Sequence, residues 1–344
     1  MNFYYYRYKF LIFYVIFGVF SIGLELTTLT FLIYLSFNEF VSYFISFLIG
    51  LLSAFFLNIK FNFQISRPKR FRALIYFAII SCFSLVIQTG FREYLIDFEM
   101  NMYESRFLVS GSLFFISYLL HRKFTFKDYK KVGVAIYAHG VEDIDSIYEK
   151  IGDVCNFIHV DIVDKSFNPN SIEVKAYKAE VIKAYWRNKF IEVHIMSINP
   201  IKWINQVKDY VNLIYVHLNS HNIINSIKVI SRNNCEPGIV VTPNDDLNLL
   251  EEYIESIRYI MVLAIPKPGF SGQEFDKRSI DIINKLNKHK YRNNFNLCVD
   301  GGVNRKTIKL LDVDSVVSGS YVLKGDNPVK NIMLLQTSAD YEKS

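Results

Sequence analysis

The sequence is short of cysteine. Cys82, Cys155, Cys235 and Cys298 are scattered through 344 residues with neither a CxxC pair nor a zinc-ribbon spacing. That excludes a disulfide-stapled scaffold and a cysteine-built zinc site, and isolated thiols suit a reducing compartment. Nucleic-acid-binding motifs are missing as well. The net charge of +6 is a mild excess. Its lysines and arginines stand beside apolar runs, which is the pattern of membrane topology, and no nucleic-acid partner is expected.

What is present is unevenly distributed. The chain is 51% hydrophobic, with 30 Phe and 23 Tyr. Residues 1–126 carry most of that apolar weight, while 127–344 read as an ordinary soluble domain. Four apolar segments, at about 10–35, 40–57, 71–91 and 105–120, approach the ~20 residues that cross a bilayer. The first is too long for a cleavable signal and is followed by further spans. Arg7 and Lys9 precede the first span. Lys60, Arg67, Lys69, Arg70 and Arg72 lie between the second and third, and His121, Arg122, Lys123, Lys127, Lys130 and Lys131 follow the fourth. The other loops are acidic or balanced. The positive-inside rule therefore predicts a multi-pass protein of the cell inner (cytoplasmic) membrane with both termini in the cytoplasm.

The apolar half repeats itself. "RYKFLIFY" from Arg7 matches "RFRALIYF" from Arg70, and "SAFFLNIKFNF" from Ser53 matches "ISYLLHRKFTF" from Ile116. Both offsets are 63 residues. Each copy holds two spans, so the copies run parallel, a pattern found in transporters. Glu25 falls in mid-span with Gln88 at the equivalent point. An ionisable group at that depth is costly and marks a candidate membrane site; the alternative is a protonated Glu hydrogen-bonded within the bundle.

From residue 132 the pattern alternates. Eight β-branched runs, "VGVAIY", "NFIHVDI", "FIEVHIM", "LIYVHL", "PGIVVT", "IRYIMVLAI", "FNLCVD" and "DSVVSGS", are separated by segments of helical period such as "DDLNLLEEYIESI" and "DKRSIDIINKLNKH". Eight such units predict a (β/α)8 TIM barrel. An open doubly wound sheet is the runner-up, but no GxGxxG follows the first strand. The fold expected is a four-helix transmembrane bundle over 1–128 followed by an α/β barrel over 129–344.

Barrel enzymes work at the C-terminal ends of their strands. His159 and Asp161 fall at the end of the second strand, His194 at the end of the third and Asp300 at the end of the seventh. A lone histidine there would read as structural. Two histidines and two carboxylates at one mouth point to a divalent zinc, iron or manganese ion. Glycines gather at the same mouth in "PGFSGQ" (268–273), "DGGV" (300–303) and "SGS" (318–320). They let backbone N–H groups approach an anion, and loops seven and eight are the usual phosphate site.

Two resemblances follow. The four-span layout and the ending "LLHRKFTFKD" resemble the GtrA-like family over roughly residues 5–128. The resemblance implies translocation of polyprenyl-phosphate-linked sugars or assistance to a glycosyltransferase partner in cell-surface polysaccharide synthesis, with membrane lipid as a further partner. The motifs "HVDIVDKSFNPN", "EVHIMSINP", "PKPGFSGQEF" and "VDGGVNRKT…VVSGSYVL" resemble the ribulose-phosphate 3-epimerase family over about 132–337. That resemblance implies a metal held by His159, Asp161, His194 and Asp300, with Asp161 and Asp300 as the catalytic acid/base pair. It also implies substrate contacts from His194, Met196, Gly269, Phe270, Ser271, Gly272, Asp300, Gly301, Gly302, Gly319 and Ser320. The expected reaction inverts carbon 3 of a pentulose 5-phosphate, interconverting ribulose and xylulose 5-phosphates. Inversion needs acid/base groups on both faces of a planar enediolate. The sequence departs from the family at Ala135, where a serine is usual, at Val163 for a methionine, and at Lys165 for a glycine. Lys267 adds a further cation, and two lysines near the mouth could meet a second anionic group or simply face water. A related sugar phosphate and a catalytically silent sensor domain are the alternatives, and self-association into a homo-oligomer is left open.

Overall fold

The computed structural model describes residues 3–97, 112–137, 143–171, 176–270 and 272–337. The chain divides into two compact units, 1–129 and 130–344.

The first unit is helical: α1 (Phe3–Tyr34), α2 (Glu39–Leu57), α3 (Arg70–Asp97) and α4 (112–120). Among the described residues three helical stretches are long and apolar enough to cross a membrane: Tyr8–Tyr34, Glu39–Asn62 and Arg67–Ile87. The expected fourth span at 105–120 lies partly outside the described residues; its 112–120 portion is helical. Large apolar side chains such as Phe20, Phe31, Phe40 and Phe83 face outward. That arrangement suits a lipid solvent, where a helix satisfies its backbone internally. Asn38 starts α2 by accepting from the Val41 amide at 3.3 Å, satisfying one orphan donor of the first turn.

The 63-residue repeat reappears in the backbone. α2 ends in a π-helical turn, Asn58–Asn62, and α4 ends in another, His121–Thr125. Each is closed by the same i, i+4 side-chain pair: Asn62 Nδ2 donates to Asn58 Oδ1 at 3.0 Å, and His121 Nδ1 meets Thr125 Oγ1 at 3.0 Å. The next residue in each copy, Phe63 and Phe126, stack on one another with centroids 4.3 Å apart. Asn62 also donates to the Phe10 carbonyl at 2.9 Å, pinning α1 to the first turn.

The second unit is a closed barrel of eight parallel strands in chain order. They are β1 (Lys131–Tyr137), β2 (Phe157–Val163), β3 (Phe190–Met196), β4 (Leu213–His217), β5 (Glu236–Val241), β6 (Tyr259–Leu263), β7 (Asn296–Asp300) and β8 (Ser315–Ser318). The connecting helices are α5 (Ile144–Ile151), α6 (Lys178–Tyr185), α7 (Ile201–Val207), α8 (Ile223–Arg232), α9 (Ser279–Lys288), α10 (Ser320–Leu323) and α11 (Pro328–Thr337). All eight predicted strands are present. "DDLNLLEEYIESI" is not an α-helix: it folds as a 3-10 helix over Leu247–Glu252 followed by turns. Its buried residues Leu250, Ile254 and Ile257 are spaced four and three apart, which a short tight coil satisfies as well as an α-helix.

Strand alternation sorts the side chains. Val132, Val134, Ile136, Ile158, Val160, Ile162, Ile191, Val193 and Ile195 point outward into the layer beneath the helices. Each such burial stabilises by roughly 1.5–3 kcal/mol. The inward positions form a second cluster around Phe157, Leu213, Tyr215, Met261 and Cys298. Two interior glycines make room for rings. A Cβ on Gly133 would lie 2.1 Å from Phe157, and one on Gly238 would lie 2.4 Å from Tyr215. Elsewhere in the barrel, Arg292 donates to Asp314 at 2.9 Å, and the same carboxylate oxygen accepts from the Leu297 amide at 2.9 Å. Both side chains are buried.

Candidate metal centre and active site

The strand register assembles the site. β2 lies beside β3 so that Asp161 neighbours His194 and His159 neighbours Glu192. Asp300 closes β7. His159 Nε2 stands 3.2 Å from Asp161 Oδ1, and His194 Nδ1 stands 3.3 Å from the same oxygen. Each of these nitrogens is 3.9 Å from Asp300 Oδ2. One ligand atom from each of the four residues lies within 4.8 Å of all the others, and all four residues are buried. Bonds of about 2.0–2.1 Å to a central cation imply tetrahedral edges of about 3.3–3.4 Å, and the measured separations bracket that value. His194 Nδ1 is buried and makes no aligned hydrogen bond, so its approach to Asp161 is a contact between two groups facing one point. The donor set, two imidazoles and two carboxylates, suits zinc, iron or manganese. These residues fit such an ion.

The electrostatics follow from burial and proximity. Burial alone would lower the pKa of His159, but Asp161 and Glu192 raise it well above its ordinary value. Burial would raise Asp161, yet the two histidines hold it below the usual carboxylate range. Asp300 is pushed up to about 7, first by burial and then by the charge of Asp161. Burial lowers His194 and raises Glu192.

A cavity of about 550 Å³ opens beside this cluster. Asp161, Met196, Gly269, Phe270, Gly272, Asp300, Gly301, Gly302, Gly319 and Ser320 line it. His159 and His194 sit behind Asp161 and Asp300, fully buried. Ser271 lies outside the described residues. Ala135 lines the cavity and faces Gly319. Lys165 and Lys267 are exposed and do not line it; the lysine that does is Lys277.

Two residues absent from the sequence reading touch the cluster. Glu192 Oε1 lies 2.7 Å from His159 Nδ1, and His217 Nε2 lies 2.9 Å from His194 Nε2. Both stand on strands the pattern identified. Glu192 shares the parity of His194 on β3, so its inward position was readable; its partner was not.

In the helical unit, Glu25 packs its half-buried carboxyl against Gly50, where a Cβ would stand 2.6 Å from Oε2. Ser21, one turn earlier, is buried with no hydrogen-bond partner for its hydroxyl among the described residues. In the second copy the equivalent Ser84 bonds Ser117 at 2.8 Å; the residue matching Ser117 in the first copy is Ala54. Gln88 lies on α3.

Comparison with known proteins bears on both units. Residues 13–126 match the family model of the GtrA/DPMS transmembrane domain. Ribulose-phosphate 3-epimerase of Aquifex aeolicus is 30% identical over 172 residues, 48% of this chain and 76% of that protein. The enzyme of the same name from Serratia marcescens is 27% identical over 191 residues, 53% of this chain and 87% of that protein. Among solved structures, 3-hexulose-6-phosphate synthase from Salmonella typhimurium is 18% identical with a TM-score of 0.47, covering 60% of this chain and 96% of that one. The model of the ribulose-phosphate 3 epimerase family matches residues 132–323, and the chain, an epimerase fused to a GtrA-like membrane unit, belongs to that family.

Proposed function

We propose that the barrel inverts carbon 3 of a pentulose 5-phosphate, interconverting ribulose 5-phosphate and xylulose 5-phosphate. The observation that carries this reading is the convergence of His159, Asp161, His194 and Asp300 at one end of the cavity. In the proposed mechanism Asp161 and Asp300 stand on opposite faces of the reacting carbon. One carboxylate takes the proton from C3 and leaves a planar enediolate; the other, protonated, returns a proton to the opposite face. Carboxyl groups whose proton affinities are pushed apart suit one base and one acid. In the metal-free protein Asp161 is held below the usual carboxylate range and Asp300 is pushed up to about 7, and both line the cavity, where they are available for those roles. A divalent cation held by the four residues would supply positive charge against the negative charge that develops on the enediolate oxygens. Gly269, Phe270, Gly272, Gly301, Gly302, Gly319 and Ser320 hold the phosphate end, and Met196 packs beside the reacting carbons. The GtrA-like unit handles a polyprenyl-linked sugar, with the barrel on the cytoplasmic side and Glu25 as a candidate polar contact within the membrane.

The test uses the full chain in detergent, with bound metal measured and conversion of ribulose 5-phosphate to xylulose 5-phosphate followed by a coupled assay. Turnover that disappears in both Asp161→Asn and Asp300→Asn supports the reading. A second reading, epimerisation of a related phosphorylated sugar, is favoured by Ala135, which lines the cavity without a hydroxyl. Metal with no turnover on ribulose 5-phosphate would select it, and neither metal nor turnover would leave a silent domain.

A further inference from the structure

His159 and His194 offer different ring nitrogens to the shared point, Nε2 from the first and Nδ1 from the second. Which nitrogen an imidazole presents is set by what holds the other one. Both other nitrogens are held here, by dissimilar groups. His159 Nδ1 meets a carboxylate, Glu192, at 2.7 Å, and His194 Nε2 meets a second imidazole, His217, at 2.9 Å.

The protons can be placed by elimination. A nitrogen that gives its lone pair to a cation carries no proton, so each ring holds its proton on the far side. His159 then donates from Nδ1 to Glu192. His194 donates from Nε2, so His217 must accept at Nε2 and keep its own proton at Nδ1. His217 is 1% exposed and packed between rings, with centroids 5.0 Å from His194 and 4.7 Å from Phe167, so it has little room to swing away. The unlike pair also limits buried charge. Asp161 and Asp300 already neutralise a divalent ion, and Glu192 leaves one excess negative charge. A carboxylate in place of His217 would leave two in a site closed to water, where uncompensated charge is costly.

We propose that Glu192 and His217 are the positioning residues of this centre, an anionic and a neutral acceptor that fix opposite nitrogens of His159 and His194 on one point. The inference rests on the metal reading above. It is tested with the full chain in detergent, by competing zinc against a chelator and by recording the visible absorption of the cobalt-loaded protein. His217→Leu and Glu192→Leu remove the acceptor; His217→Gln and Glu192→Gln keep an acceptor oxygen. The leucine variants are expected to bind zinc about 10- to 100-fold more weakly, with an altered cobalt spectrum. The glutamine variants are expected to stay within about fivefold of the parent, with its spectrum. Should a leucine variant fail to fold, methionine at the same position fills the space without a good acceptor and is expected to match the leucine result. Zinc affinity unchanged in the leucine or methionine variants overturns the proposal, and so does a glutamine variant as weak as either. A parent protein that takes up neither zinc nor cobalt overturns the metal reading instead. A purely structural role would lower thermal stability without separating glutamine from leucine.

Discussion

Gly302 tests the phosphate end of the cavity most sharply. Its φ is +64°, in the left-handed region that costs a residue with a Cβ about 1–2 kcal/mol. A Cβ there would also stand 2.6 Å from both N and Cα of Phe275. The obstacle is backbone, so no rotamer change relieves it, and overpacking of this kind adds about 1–3 kcal/mol. Gly302→Ala therefore faces about 2–5 kcal/mol of conflict, relieved only by moving the loop after β7 or the 272–275 segment. Full expression in binding would be about 30- to several-thousand-fold at 1.36 kcal/mol per decade. Because loops relax in part, KM for ribulose 5-phosphate is expected to rise at least about tenfold. Gly272→Ala is the comparison: its φ is +78° and, among the described residues, nothing lies within 4 Å of its would-be Cβ, so it carries strain without a collision of that kind. Both variants would be assayed for KM, kcat and bound metal, since Asp300 lies just upstream of Gly302. A KM for Gly302→Ala within about threefold of the parent would refute the argument, as would an equal rise in Gly272→Ala.

Other expectations follow from the same geometry. Asp300 titrates near 7 in the metal-free protein and must lose its proton to ligate, so apparent zinc affinity should fall about tenfold per pH unit below 7 for each proton displaced; a flat chelator-competition profile from pH 5 to 7 contradicts this. The sign for stability is the reverse. Folded Asp300 binds its proton more tightly than an unfolded aspartate, so its contribution to the metal-free fold is present at low pH and lost as pH rises through about 7, measurable by thermal melts of the metal-free protein. Asp314→Ala strands the buried Arg292 guanidinium and the Leu297 amide and should destabilise the barrel by about 3–5 kcal/mol, read by denaturant unfolding followed in the barrel. A reporter fused after residue 128 should register as cytoplasmic; a periplasmic signal would overturn the charge-based topology.

The barrel was legible because its strands repeat one rule, β-branched outward and mixed inward, and because polar-apolar segments separate them. The four converging residues were legible for a narrower reason: each is an ionisable group at an inward strand position, although only Asp300 ends its strand and His159 lies well inside β2. His217 satisfied the same rule on "LIYVHL" and was passed over, because its value lies in a partner on β3 that only the register reveals. Glu192 is similar, two residues before His194 and on its face. For Lys165 and Lys267 the sequence left two readings open, an anion contact or a solvated side chain. Lys165 and Lys267 stand in the right loops by sequence, but loop direction is set by tertiary packing, and both face solvent while Lys277, farther along the chain, reaches the cavity. In the membrane half the offset of 63 residues was visible as letters; that it marks two π-helical turns was not, since π geometry has no periodic signature in sequence.

Joining two copies of a hairpin in one polypeptide has a result that pairing identical subunits does not. A symmetric dimer must treat both of its seams alike. Here the halves have diverged: Ser84 is paired with Ser117, while the first copy has Ala54 in place of that second serine, and Ser21 has no hydrogen-bond partner among the described residues. The stacked rings of Phe63 and Phe126 join the two hairpins, yet a serine pair stands in one copy where a serine and an alanine stand in the other, so the two seams differ in chemistry.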